Sequence, residues 1–191
     1  MTSFSLPAFL DSLLGICRFR RGPEDMPYSP PLLIALLIAC GALQAFFNVY
    51  NGAAPGVAAA VLVGGLGLIG ALHLLLRGRG KSLRFVQTMT ALAAVYLLFG
   101  VVIDALISWL SLAALSKQVL EHPEHPPTLT TLQTLMIPGV LGLVIWQFCV
   151  FVGIVRRALE IPVAGAVLVL LLLFLVDWFV ASLVASAMGV V

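Results

Sequence analysis

Two carboxylates in this sequence sit where a carboxylate is costly. Asp104 and Asp177 each fall inside a long apolar run, and no Lys or Arg lies at comparable depth to pair with either. A charge at the centre of a bilayer costs at least ~2.5–3.5 kcal/mol on insertion scales, so such acids turn toward a bundle interior or a wet cavity. Each is then protonated, hydrogen-bonded to amides and hydroxyls, or hydrated. Gln44 and Asn48 lie in the second half of the first long apolar run, and Gln133 lies near the start of the fourth. Ser108 and Ala181 fall one turn beyond the two acids. Asp104, Asp177, Gln44 and Asn48 therefore define a candidate intramembrane polar pocket, able to hold a proton, a cation or part of a partner helix. The plainer alternative is a pair of acids hydrated singly near the membrane interface.

The other residues with reactive side chains point to less. His73 stands alone near Arg77, as an interfacial histidine does. His122 and His125 with Glu121 and Glu124 have the types of metal ligands. The prolines among them impose an extended chain that cannot present them on one helical face, which leaves an adventitious surface site at most. Cys17, Cys40 and Cys149 are widely separated and read as small apolar packing residues. The sequence has no nucleophile elbow, phosphate-binding glycine loop or zinc-protease motif. It therefore predicts no enzyme, no cofactor and no metal. A basic patch interleaved with aromatics is also missing, which excludes nucleic acid as a partner.

The elements that must position these residues follow from composition. Of 191 residues, 62% are hydrophobic and 9% charged. Soluble domains carry about a quarter charged residues, so the solvent of this chain is largely lipid. A bilayer core takes roughly 20 apolar residues per helix. Five runs meet that length, at about 31–50, 54–76, 86–109, 134–155 and 161–187. Prolines or glycines punctuate each connection: Pro30 and Pro31, Pro55, Gly78 and Gly80, Pro123, Pro126 and Pro127, and Pro162. The expected fold is all-α, a polytopic bundle of five transmembrane helices spanning 31–191, preceded by an N-terminal segment, 1–30.

Within that segment, Phe9, Leu10, Leu13, Leu14 and Cys17 recur at helical spacing, with Asp11, Ser12, Gly15 and Arg18 opposite. This predicts a short amphipathic helix that either lies among lipid headgroups or packs on the protein's own helix ends. No signal peptide is expected, because the first arginines follow the apolar stretch instead of preceding it. Arg18, Arg20, Arg21, Arg77, Arg79, Lys81, Arg84, Arg156 and Arg157 all fall on one side of a five-helix arrangement. Short loops rich in Lys and Arg stay in the cytoplasm. The N-terminus is therefore expected inside and the C-terminus outside, with these nine residues forming a basic cytoplasmic face. That face either contacts anionic lipid or an acidic partner, or only sets topology. Gly52, Gly56, Ala60 and Gly64 recur at a stride of four and form a candidate helix-packing face, for a dimer or within the bundle.

Three stretches resemble the bacterial branch of the Yip family (Ypt/Rab-interacting protein family) of small five-helix membrane proteins. They are RFRRGPEDMPYSPPLL before the first long helix, RGRGKSLRFVQTMTAL running into the third, and Trp146 followed by Arg156, Arg157, Ala158 and Leu159 at the end of the fourth. Eukaryotic members carry an Asp-Leu-Tyr-Gly-Pro motif before their first helix. Here Asp25-Met26-Pro27-Tyr28-Ser29-Pro30 has an extra proline, and serine for glycine, so the resemblance does not extend to Rab-type binding. It implies a non-catalytic adaptor of the bacterial inner membrane, with membrane lipids and another membrane protein or a second copy as partners. The competing expectation is a small transporter or channel component that uses the pocket around Asp104 and Asp177.

Overall fold

The computed structural model describes residues 5–110, 119 and 129–189. Among them are six α-helices and no strand: α1 (Leu6–Cys17), α2 (Pro30–Tyr50), α3 (Pro55–Gly78), α4 (Phe85–Trp109), α5 (Thr131–Leu159) and α6 (Val163–Ala187). The last five are long and apolar enough to cross a membrane. The chain is a multi-pass membrane protein with an all-α fold, as its composition predicts.

The helix ends follow local chemistry. Proline opens α2 and α3 at positions where its missing N–H is no loss. Ser29 caps α2 by accepting from the Leu32 N–H at 3.4 Å. Thr130 and Gln133 form a capping box that starts α5 three residues before the apolar run suggested. Gly52 has φ +75° and makes the turn before α3. It therefore stands outside the stride-of-four face to which its spacing assigned it. Gly56 lies on α3 half-exposed, while Ala60 and Gly64 are buried.

Neighbours run around the bundle in the order α2, α4, α5, α6, α3 and back to α2, with α3 also touching α4. The close approach of α3 and α6 depends on small residues. A Cβ on Gly64 would lie 2.7 Å from the Asp177 carbonyl oxygen, and one on Gly67 would lie 3.2 Å from Val180. Small residues thus serve contacts inside the bundle, where backbones come near enough for dispersion to hold helices together in lipid.

Packing is uneven along the bundle axis. At the end carrying the arginines, Leu72, Leu76, Val95, Val155, Ala158 and Ala166 are at most 0% exposed and belong to one apolar core shared by α3 to α6. At the far end the apolar cluster among the described residues is Ile103, Leu110 and Val140, between α4 and α5. Helix α2 buries only Leu33 among its residues.

Helix α1 is docked onto α4 and α5 instead of lying apart as a separate segment. Phe9, Leu13, Ile16 and Cys17 enter the main core. Ser12, expected on the polar side, is buried, because its hydroxyl accepts from Arg21 Nη1 at 3.1 Å. Leu6, Leu10 and Leu14 form a second, exposed apolar stripe. With Asp11 and Arg18 in a third sector, α1 has one buried face, one exposed apolar stripe and one charged edge. The contacts show the second of the two expectations, packing on the protein's own helices, and leave Leu6, Leu10 and Leu14 exposed.

Candidate functional site

The four predicted pocket residues sit on the inward faces of their helices. Gln44 and Asn48 continue the face of α2 that carries Leu33, Leu37 and Cys40 at helical spacing. Asn48 Nδ2 donates to the Gln44 carbonyl at 2.8 Å, which ties the amide to its own helix. Asp177 extends the face of α6 that carries the buried Ala166, Leu170 and Leu173. Its Oδ1 would be 2.9 Å from a Cβ on Gly64, so the carboxyl lies directly on the α3 backbone where glycine leaves room. Asp104 is half-buried, one turn beyond Gly100 on α4.

Tyr96, which the sequence reading passed over, links these groups. Its hydroxyl donates to Gln44 Oε1 across the α2–α4 contact. It also lies within electrostatic reach of Asp104, Asp177 and Cys40. Nearby, Cys40 Sγ contacts the Ala93 carbonyl at 3.5 Å. The signal available in the sequence was the stride of four that joins Tyr96, Gly100, Asp104 and Ser108 on one side of α4. The Ser108 hydroxyl oxygen is buried and has no hydrogen-bond partner among the described residues. Gln147 adds a polar group from α5. It shares the α5 face of Val140, Val150 and Ile154, and its amide makes no hydrogen bond among the described residues.

Depth follows from helix rise. From the arginine end, Tyr96, Gln147, Gln44 and Asp177 all lie ~17–21 Å in, and Asp104 lies ~28 Å in, at ~1.5 Å per residue. Three of the five spanning helices thus direct an amide or acid inward at one level, joined there by Tyr96 from a fourth. Gln133 is not part of this group. It caps α5, and its Nε2 donates to the Leu110 carbonyl at 3.0 Å.

The nine predicted basic residues gather at the other end and divide into two sets. Arg21 pairs with Asp11 at 2.7 Å. Lys81 and Arg84 both grip Glu160, Arg84 at 2.8 Å. Arg157 donates to the Phe19 carbonyl at 2.9 Å and reaches Glu24 only at 4.0 Å. Arg18, Arg20, Arg77, Arg79 and Arg156 are exposed and make no ion pair among the described residues. The Lys81 hydrogen bond and charge, followed by Arg84, hold the Glu160 carboxyl below the usual range.

Two residues with left-handed backbone build this end. Phe19 (φ 61°) closes α1 in a Schellman turn, in which the Arg20 N–H bonds to the Gly15 carbonyl and the Phe19 N–H to that of Ile16. Glu160 (φ 53°) closes α5. Neither is the glycine that such positions favour, and the conformation costs a non-glycine residue roughly 1–2 kcal/mol. The Phe19 ring lies beside Trp146, with centroids 6.1 Å apart. Trp146 Nε1 in turn donates to the Cys17 carbonyl at 3.2 Å. Gln87 clamps the next segment by donating to the Glu24 and Met26 carbonyls.

His73 packs edge-on against Phe85, with centroids 4.8 Å apart. His122, His125, Glu121 and Glu124 lie outside the described residues. Among the described residues no group of three or more His, Cys, Asp or Glu is placed to hold a metal ion. Comparison with protein-family models, with curated proteins and with solved structures finds no match for this chain.

Proposed function

We propose that this chain is a non-catalytic scaffold or accessory subunit of the bacterial inner membrane, with its N-terminus in the cytoplasm and its C-terminus outside. The observation that carries the reading is the solid core at the arginine end. Carrying a solute across requires a wet route from the inward polar groups to both faces. Leu72, Leu76, Val95, Val150, Ile154, Val155, Ala158, Ala166 and Leu170 fill that route on the arginine side at native-like burial. A body closed at one end and braced by Gln87, Trp146, Arg157 and Glu160 suits a platform that others dock on. The placing of nine of the ten Lys and Arg residues at one end supports the orientation. The likeness to the bacterial Yip branch supports the membrane and the adaptor role. Partners beside it would be lipids and another membrane protein or a second copy of the chain.

A second reading, a small transporter or channel component, draws on the convergence of Gln44, Tyr96, Asp104, Gln147 and Asp177 toward the bundle interior. Purification in mild detergent, identification of companion proteins and flux assays in proteoliposomes separate the two. The scaffold reading expects a stable companion or a dimer, retained when Asp104→Asn and Asp177→Asn are combined, and no proton or cation flux. A companionless monomer, or a flux abolished by the double substitution, overturns it.

A further inference from the structure

A cleft of about 120 Å³ opens between the end of α1 and the last turns of α5. Its floor is apolar: Ile16 from α1, and Val150, Gly153 and Ile154 from α5, with Phe19 at the edge. Its rim is Arg21, Arg156 and Arg157. We propose that this cleft binds the phosphate of one anionic phospholipid of the adjoining leaflet, with the lipid's chains running along Phe19 and the exposed Leu6–Leu10–Leu14 stripe.

The rim is organised in advance. Arg21 lies flat across α1 because Gly15 has no Cβ, which would otherwise meet the Arg21 side chain at 2.7 Å. It is held there by Asp11 and Ser12. Arg157 is held by the Phe19 carbonyl, which only the left-handed backbone of Phe19 presents to it. A guanidinium has five donors in a fixed fork, so each of these arginines keeps donors for an incoming oxyanion. Arg156 is exposed and makes no ion pair among the described residues. Among the described residues the three arginines pair only with Asp11 and, at 4.0 Å, Glu24, so the rim retains net positive charge. Strained backbone that holds a charged group in place marks a site where position matters.

Location selects the occupant. The cleft lies between the end of α1 and the last turns of α5, at the arginine end of the bundle where a bilayer's phosphates stand, and α1 itself carries the exposed Leu6–Leu10–Leu14 stripe. The volume of about 120 Å³ leaves room for a phosphate group. An acidic protein segment would engage the arginines and leave the apolar floor and stripe uncovered. A phospholipid satisfies both. Basic pockets between helices at the cytoplasmic boundary bind lipid headgroups in this manner.

The test uses the full chain in mild detergent and native mass spectrometry. Phosphatidylglycerol, phosphatidylcholine and inorganic phosphate are titrated separately, and thermal midpoints are recorded in parallel. Phosphatidylglycerol is expected to stay bound at concentrations where phosphatidylcholine is lost. Arg156→Gln should raise its half-saturating concentration roughly five- to tenfold, and Arg79→Gln, on the α3–α4 turn, should leave it unchanged. If Arg156→Gln fails to fold, Arg156→Lys keeps the charge, loses the fork and should weaken retention by a smaller factor. Equal retention of the two lipids, equal effects of the Arg156 and Arg79 substitutions, or displacement of the lipid by inorganic phosphate or by a glutamate-rich peptide would each overturn the proposal.

Discussion

Replacing Gly64 by alanine is the sharpest test of how α3 and α6 hold together. The added Cβ would sit 2.7 Å from the Asp177 carbonyl oxygen, 2.9 Å from Asp177 Oδ1 and 3.1 Å from the Ala181 Cβ. The first of these neighbours is backbone, so no rotamer change relieves the clash, and the helices must part by about 0.5 Å. A gap of ~0.5–1 Å forfeits a quarter to a half of each dispersion contact along the seam. Overpacking of this kind costs roughly 1–3 kcal/mol. Gly65 and Gly70 lie on the same helix with nothing within 4 Å of a built Cβ, so Gly65→Ala and Gly70→Ala are the matched controls. Gly67→Ala falls between, because its nearest neighbour is the end of the Val180 side chain at 3.2 Å. Reversible unfolding in mixed micelles, followed by tryptophan fluorescence, ranks the four variants. Gly64→Ala should lose at least ~1 kcal/mol relative to Gly65→Ala. Equal stabilities would refute the claim that a close backbone approach at Gly64 seats Asp177.

The Tyr96–Gln44 hydrogen bond should show a coupling of about 0.6 kcal/mol, and no more than ~1.7, in a Tyr96→Phe and Gln44→Leu double-mutant cycle; zero coupling would separate the two groups. The Glu160 clamp should depend on pH in one direction. Its carboxyl is held below its ordinary value of 4.5 by Lys81 and Arg84, so its stabilising effect is complete above about pH 4.5 and fades as pH falls through the lower folded value. A thermal-midpoint profile should show this loss below about pH 4.5 in the parent and not in Glu160→Gln. Cys17 is buried, and burial pushes its thiol above 9.0, outweighing an opposing backbone hydrogen bond. A water-soluble maleimide at neutral pH should therefore leave Cys17 unmodified until α1 is released, and rapid labelling of Cys17 in a folded variant whose Cys40 and Cys149 are replaced by alanine would show that α1 does not stay docked.

Much of the fold was written in periodicity and punctuation. Five apolar runs, each bounded by proline or glycine, gave five helices within a few residues, because hydrocarbon thickness and the loss of backbone hydrogen bonds at proline are local constraints. What required three dimensions was pairing. Asp104 and Asp177 announce themselves in one dimension because acids are rare in such runs. Tyr96 and Gln147 do not, since a tyrosine or glutamine in an apolar helix says nothing about which way it faces until its neighbours are placed. Ser12 misled for the same reason: it counts as polar by type, but Arg21, nine residues away, folds back to satisfy it. Glu160 and Phe19 were invisible because their importance lies in a left-handed backbone that their residue types do not signal.

The docking of α1 also sets a timetable. Its anchors are Trp146 and Arg157, 129 and 138 residues downstream of the carbonyls they grasp. At ~5–20 residues per second, the ribosome needs on the order of ten seconds to deliver them after α1 is made. Throughout that interval Phe9, Leu13 and Ile16 lack the pocket that finally receives them. The stripe of Leu6, Leu10 and Leu14 gives the nascent helix somewhere to wait, half-sunk in the bilayer surface, until α5 arrives and the first segment synthesised becomes one of the last to settle.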